Sequence, residues 1–223
     1  VIHNMHTGKK SPGWRGITTL PRKLTLDKCD TINIQPYGDY KSLRTHHQHI
    51  DKTHLPANKE IIIDNIQGNA LEIKAEINIK SSPMIEMNVL RSPDKEEFTS
   101  IKFFKDRGVD IVRTNPALKN QRWGLISLET AHSSILPDVI SRAPELAPVY
   151  LKPNETLKLH IFIDKSIIEI FVNDKQVVTT RVYPGKKESI GISLKSQGRD
   201  ATLISMDAWQ MKSIYKELQN DFI

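Results

Sequence analysis

Alternation of apolar and polar residues is the feature that most constrains how this chain can fold. Between residues 71 and 79, printed LEIKAEINI, every odd position is apolar and every even position is charged or polar. Because successive side chains of a β-strand point to opposite faces, this pattern predicts a half-buried strand of an antiparallel sheet. Shorter runs of the same kind recur at 85–89, 157–163 and 190–194. Long helical periodicity is nearly absent.

Turn signals separate these runs, and two of them predict β-hairpins. Asp106-Arg107-Gly108 stands between two apolar runs, and Asn173-Asp174-Lys175 stands between Ile167–Val172 and Gln176–Val182. Many short strands with no helices between them favour an all-β fold, a two-sheet antiparallel β-sandwich. A β-propeller is the main all-β alternative, but a propeller would show similarity recurring at blade length. No such repeat is visible in the sequence.

Two polar stretches lack the alternating pattern and are predicted to lie outside the strands. Residues 39–58 hold four of the eight histidines and predict a long loop or a short helix. Residues 131–150 carry Pro137, Pro144 and Pro148 and predict a loop with one helical turn at most.

Composition excludes several classes of function. The formal net charge is +6, but charges of both signs are spread along the chain, which favours a solubility role and no nucleic-acid partner. No apolar run approaches the ~20 residues that span a bilayer, so no membrane partner is expected. The single cysteine, Cys29, can form neither an internal disulfide nor a cysteine-based zinc site. We expect no cofactor.

Glu169 is the most conspicuous charged residue of the predicted strands. It lies among Ile167, Ile168, Ile170 and Phe171. A carboxylate in so apolar a strand is costly unless it is paired.

The predicted hairpin at 173–175 would place Glu169 opposite Thr179 and make Arg181 its diagonal neighbour on the same face. A structural ion pair between Glu169 and Arg181 is the simpler interpretation. The alternative interpretation is a sugar-binding cluster, because carboxylates and arginine bind vicinal hydroxyls well.

Histidines and tryptophans offer two further candidate sites. His46, His47, His49 and His54 form a dense tract of the kind that can bind metal. Because no cysteine or patterned carboxylate accompanies them, we expect exposed loop histidines and no metal site.

The three tryptophans are Trp14, Trp123 and Trp209. They lie in strand-like contexts, where packing in the core or against another domain is a commoner role than a sugar platform.

Three segments together resemble a known family. Gly13–Leu26, printed GWRGITTLPRKLTL, resembles the junction at which glycoside hydrolase family 32 enzymes leave their five-bladed propeller. Leu159–Asn173, printed LHIFIDKSIIEIFVN, resembles a strand segment of the C-terminal sandwich of that family, and Thr180–Pro184 resembles the segment that follows it. The resemblance covers residues 11–215, and the order and spacing of the segments also fit.

The resemblance implies a concanavalin A-like jelly roll and a parent enzyme that hydrolyses β-fructofuranosidic bonds in sucrose, levan or inulin. In that family the catalytic carboxylates belong to the propeller, in W-M-N-D-P-N-G, R-D-P and E-C motifs, none of which occurs here. No catalytic residue is therefore carried over, and the chain is predicted to be inactive alone. The expected role is that of an accessory domain. A free-standing, lectin-like fructan-binding module is the alternative.

The resemblance also sets the remaining expectations. Residues 1–10 are expected to be a remnant of the last propeller strand or a linker, 11–215 the sandwich, and 216–223 a tail. The expected partners are the propeller, a fructan or fructose ligand, and a second copy in a homodimer. Because relatives of the sandwich bind fructans, Asp164, Glu169 and Arg181 are the candidate carbohydrate-binding residues. Of the compartments in which the family acts, we expect a secreted or periplasmic bacterial setting.

Overall fold

A computed structural model describes residues 17–27, 31–105, 123–140 and 142–214. Across these residues the backbone forms fifteen strands and one short 3₁₀ turn at Tyr40–Leu43. In chain order the strands are β1 Arg22–Leu26, β2 Ile32–Pro36, β3 Arg44–Ile50, β4 Thr53–Leu55, β5 Glu60–Ile62, β6 Ala70–Asn78, β7 Met84–Arg91, β8 Thr99–Phe104, β9 Gly124–Glu129, β10 Glu145–Val149, β11 Leu157–Asp164, β12 Ile167–Val172, β13 Gln176–Arg181, β14 Gly191–Gln197 and β15 Ala201–Met211.

Most strands belong to two antiparallel sheets, which confirms the predicted β-sandwich. The six-stranded sheet has the order β10-β9-β8-β7-β14-β5. The seven-stranded sheet has the order β13-β12-β11-β6-β15-β3, with β4 also paired to β15. Strands β1 and β2 form a hairpin of their own beside the seven-stranded sheet.

The hydrophobic core fills the space between the two sheets. Strand β6 places Leu71, Ile73, Ala75 and Ile77 in this core, each almost fully buried, as its alternation predicts. The facing sheet contributes buried residues at the same period of two, among them Ile85, Met87, Val89, Ile101, Phe103, Ile192 and Leu194. The residues between them on β6 therefore point to the outer face of the seven-stranded sheet.

The turn after β12 forms as predicted and has a further role. Asn173 and Asp174 both adopt positive φ, and the N–H of Lys175 donates to the carbonyl of Val172 at 2.9 Å. Two successive residues at positive φ are what a type I′ hairpin turn requires. The carbonyl of Asp174 accepts the N–H of Ile34 at 2.6 Å, so this turn also anchors the β1–β2 hairpin.

The predictions for the two polar stretches are wrong in part. Residues 39–58 form β3 and β4 as well as the 3₁₀ turn, and residues 131–150 include β10. Both β3 and β10 end the strand order of their sheets. An edge strand needs no strict alternation, and it tolerates a proline such as Pro148, whose missing N–H would break a central ladder.

Several predicted features lie outside the described residues. Two of these features are the segments expected on either side of the sandwich, residues 1–10 and 216–223. The others are the predicted hairpin turn at 106–108 with the strand after it, Cys29 and Trp14. None of the described helical turns is long or apolar enough to cross a bilayer.

Candidate functional site

The outer face of the seven-stranded sheet carries the residues predicted to bind carbohydrate. Strand pairing sets Asp164 opposite Ile167 and Ile167 opposite Arg181, and Glu169 follows two positions along β12. Glu169 lies opposite Thr179, as predicted. All three candidates therefore occupy one corner of the same face.

Glu169 is 3% exposed, and both of its carboxylate oxygens are bound. Arg22 donates from Nη2 to Oε1 at 2.7 Å and from Nε at 3.1 Å. The N–H of Leu20 donates to Oε2 at 3.1 Å. The sequence contains no signal for this ion pair, because Arg22 lies 147 residues from Glu169 in the chain. The ion pair ties the start of β1 to the sheet.

The other two candidates differ sharply in exposure. Arg181 is 4% exposed, and its guanidinium lies 5.3 Å from the ring centroid of Tyr183. Asp164 is exposed at the end of β11. Because Glu169 and Arg181 are almost fully covered, only Asp164 is openly accessible to a sugar. Their carbohydrate-binding role stays a prediction.

A second buried carboxylate, Glu72 on β6, lies at the centre of the same face and was missed from the sequence. Arg44 of β3 binds it with both ends of the guanidinium, at 2.7 Å from Nε to Oε2 and 2.6 Å from Nη2 to Oε1. His160 of β11 contacts Oε1 through Nε2 at 2.7 Å. These bonds hold the pKa of Glu72 below its usual value against the opposing effect of burial, while burial lowers the pKa of His160.

Aromatic rings surround this ion pair. Tyr40 packs edge-on against Phe162, with ring centroids 5.3 Å apart, and Phe162 lies 4.6 Å from the ring of His160. Arg44 lies 4.0 Å from the ring centroid of Trp209. The half-buried Trp209 therefore packs on the outer face, and a place in the core between the sheets is excluded for it.

A groove of about 680 Å³ runs along this face beside the ion pair. Charged and polar residues dominate its walls: Lys74, Glu76, Asn154, Glu155, Thr156, Lys158, His160, Asn173, Asp174, Ser205 and Asp207. Its acids also have partners, since Lys175 binds Glu155 at 2.7 Å and Thr156 donates to Glu76 at 2.7 Å.

The chemistry available on this face is therefore limited. A glycosidase needs one carboxylic acid that stays protonated near neutral pH, which requires a raised pKa, and a second carboxylate facing the sugar. Glu72 has a lowered pKa and Glu169 is bound by an arginine. These two buried acids are built for structural ion pairing.

An apolar patch lies on the β1–β2 hairpin. Leu24, Leu26 and Ile32 share one face of the hairpin, and each is more than half exposed. Arg22 begins the same face and reaches back to Glu169, so the hairpin is fixed at its base while its apolar tip is open. We call Leu24, Leu26 and Ile32 the hairpin patch.

Comparison with known proteins identifies the fold and the family. Residues 39–210 match the family model described as "Glycosyl hydrolases family 32 C terminal". The levanase of Bacillus subtilis (strain 168) is 27% identical over 209 residues, which cover 91% of this chain and 28% of the levanase. Sucrose-6-phosphate hydrolase of Escherichia coli is 25% identical over 211 residues, which cover 91% of this chain and 36% of that protein.

The solved structure of fructan 1-exohydrolase IIa from Cichorium intybus superposes with a TM-score of 0.77 at 19% identity. It matches 90% of this chain and 42% of the exohydrolase, and at this identity the likeness concerns the fold alone. The chain thus spans less than half the length of these relatives. The resemblance found in the sequence is confirmed, and the chain belongs to the family of glycosyl hydrolase family 32 C-terminal domains.

Proposed function

We propose that this chain is the non-catalytic accessory domain of a β-fructofuranosidase-type glycoside hydrolase. The observation that carries the proposal is the state of the buried carboxylates on the outer face. Glu72 and Glu169 are each bound by an arginine, so neither offers the free acid that glycoside cleavage requires. The matched part is 28% of the relative named as levanase and 41% of the one named as β-fructofuranosidase, which leaves room for a separate catalytic domain.

The first prediction concerns activity of the chain alone. Purified protein, shown to be folded by near-ultraviolet circular dichroism, should release no fructose from sucrose, levan or inulin above the buffer blank. The Bacillus subtilis levanase, of which the matched part is 28%, is the positive control for the assay. Turnover that one point mutation of this chain abolishes would contradict the proposal.

We further propose that the hairpin patch packs against the catalytic propeller. Three large apolar side chains held on one face of an anchored hairpin are costly in water, and such patches mark interaction sites. The adjoining ion pair of Arg22 with Glu169 keeps the hairpin in place without a partner. The family 32 relationship makes a propeller the expected occupant.

The second prediction tests this contact. In a protein that contains both domains, Leu24→Asp with Leu26→Asp should separate the sandwich from the propeller in limited proteolysis followed by gel filtration. The isolated chain should lose no more than about 0.5 kcal/mol of stability, because the leucines are exposed there. Lys23→Asp with Thr25→Asp, on the opposite face of β1, is the matched control. Equal separation in both variants would argue against the patch.

A further inference from the structure

Two histidines and an aspartate come together on the outer face of the seven-stranded sheet, at its β3 edge. His47 and His49 of β3 and Asp207 of β15 each offer a ligand atom, and these atoms lie within 4.8 Å of one another. Oδ1 of Asp207 lies 2.8 Å from Nε2 of His47 and 2.8 Å from Nδ1 of His49. No metal site is expected from the sequence, because no cysteine or patterned carboxylate accompanies these histidines along the chain. The pairing of β3 with β15 supplies one from 158 residues away.

A β-bulge aims His47 at this position. In the β3–β15 pairing Gln48 lies opposite Ala208 and Thr45 lies opposite Gln210, so His46 and His47 together face the single residue Trp209. His46 adopts a φ of 46°, which is uncommon for a residue with a side chain. Bulges of this kind redirect side chains and recur beside functional sites. Without the extra residue, His47 and Arg44 could not share the outer face.

The ring of His47 is held in place from one side. It stacks on Trp209 with centroids 4.9 Å apart and an interplanar angle of 14°. Trp209 in turn lies under the guanidinium of Arg44, which is fixed by its two bonds to Glu72. The imidazole therefore has a rigid platform, and little conformational freedom remains to be lost when it binds a ligand.

We propose that His47, His49 and Asp207 form a binding site for a divalent transition metal of the Zn²⁺ type. Imidazole and carboxylate are ligands that Zn²⁺ accepts, with bonds of about 2.0–2.2 Å. Such bonds separate tetrahedral ligand atoms by about 3.3 Å, so both ring nitrogens would move outward from their 2.8 Å contacts with Asp207, and all three ligand atoms already lie within 4.8 Å of one another. All three side chains are accessible, so water can fill the remaining positions around the ion.

The proton inventory is consistent with metal binding. A neutral ring of either histidine carries its one proton on the nitrogen that faces Asp207 and donates it to the same carboxylate oxygen. When that nitrogen binds the metal, the proton moves to the other nitrogen of the same ring by exchange with water, so each ring stays neutral and no net proton is released. For His49 that nitrogen is Nε2, which lies 3.5 Å from the carboxylate of Asp51. A carboxylate on the outer nitrogen of a ligating histidine fixes its tautomer and strengthens the ligand.

The test is titration of the tag-free chain with ZnCl₂ by isothermal calorimetry, at a pH above the raised pKa of His49. We expect one site per chain. His47→Gln, His49→Gln and Asp207→Asn should each weaken binding by at least about 100-fold, because loss of an outer-shell partner alone costs about 10–100-fold. His54→Gln is the matched control, since His54 is also exposed and lies 3.3 Å from one aspartate, Asp200, and no second histidine joins them among the residues that the structure describes.

Hydrogen exchange gives an independent readout that does not depend on enzyme activity. Zn²⁺ should slow exchange of the β3 amides in the native chain and in His54→Gln, and leave them unchanged in the three ligand variants. Loss of the His47 ring removes its stacking on Trp209, so His47→Gln could be poorly folded. In that case His49→Gln tests the proposal, because the His49 ring does not stack on Trp209. Absence of a stoichiometric site, or equal weakening in His54→Gln and His49→Gln, would overturn the proposal.

Discussion

Replacing Glu97 by alanine should lower the free energy of unfolding by about 3–5 kcal/mol, because a hydrogen bond to a charged group contributes about 1.5–3 kcal/mol and this carboxylate accepts four. Glu97 is fully buried between three loops. Its Oε1 accepts the N–H groups of Ile135 at 2.8 Å and Gly185 at 2.7 Å. Its Oε2 accepts the N–H of Lys186 at 2.9 Å and the hydroxyl of Ser189 at 2.5 Å. Truncation leaves four donors without their acceptor, and the buried hydroxyl of Ser189 is among them. Loss of the acceptor for a buried donor is the costly outcome for polar groups.

Two control variants separate this role from a general effect of charge. Glu96→Ala removes the neighbouring acid, which is exposed and paired with Lys186, and should cost no more than about 1 kcal/mol, as surface ion pairs do. Glu97→Gln keeps the size of the side chain but turns an NH₂ group towards backbone donors, so it should remain clearly destabilising. Urea denaturation of the three variants measures these differences. A Glu97→Ala protein as stable as Glu96→Ala would contradict this role for the carboxylate.

The same residue predicts a dependence on pH. The four donors hold the pKa of Glu97 below the ordinary value of 4.5, against the opposing effect of burial. A group with a lowered folded-state pKa contributes stability above its unfolded value and loses that contribution as the pH falls towards the folded value. The difference in stability between the native protein and Glu97→Ala should therefore be constant above about pH 5 and shrink below pH 4.5.

The sequence predicted the central strands because burial on one face imposes a period of two. Residues 71–79 show this most clearly, since β6 lies in the middle of its sheet with its odd positions in the core. The edge strands β3 and β10 escaped prediction for the opposite reason. Strand β3 buries no residue fully, so its sequence RTHHQHI keeps no apolar face to be recognised.

The candidate site could be predicted only where its residues are neighbours across one hairpin. Glu169 and Thr179 follow from the turn at 173–175. Arg22, Arg44 and Asp207 reach their partners through pairings between distant segments, and a single sequence contains no signal for these pairings. Glu97 illustrates a further limit, because it stands in the polar run Asp94-Lys95-Glu96-Glu97, which is typical of an exposed turn. Burial of one of two adjacent glutamates depends on which loops close over it.

Breaking the ion pair of Glu72 should cost the isolated domain about 3–5 kcal/mol, because it would leave Arg44 as a poorly solvated cation. Glu72 is fully buried, and Arg44 is largely covered by Trp209 and Tyr40. Glu72→Gln should therefore be strongly destabilising, although the amide has nearly the same volume. Arg44→Met should be similarly harmful, because the carboxylate then keeps only His160 as a side-chain partner.

The double variant Glu72→Gln with Arg44→Met shows whether the cost comes from an unpaired charge. Removing both charges leaves no ion without a partner, so the double variant should be more stable than the sum of the single effects predicts, by at least about 1 kcal/mol. Glu76→Gln, on the same face of β6 but more exposed, is the matched control and should change stability little. Additive single effects in urea denaturation would show that the pair is not coupled.

His160 should make the free energy of unfolding depend on pH. The sign of that dependence shows whether burial or pairing with Glu72 has the larger effect on the pKa of His160. Burial lowers the pKa of His160 below 6.5, although its bond to Glu72 acts in the opposite direction. A histidine with a lowered folded-state pKa binds its proton more readily in the unfolded chain, so its neutral form stabilises the fold above pH 6.5 and this stability declines below it. In His160→Phe the decline between about pH 6.5 and 5 should therefore become shallower than in the native protein. A steeper decline in the variant would mean that the charged imidazolium is the form that Glu72 stabilises, and that pairing outweighs burial at the centre of this face.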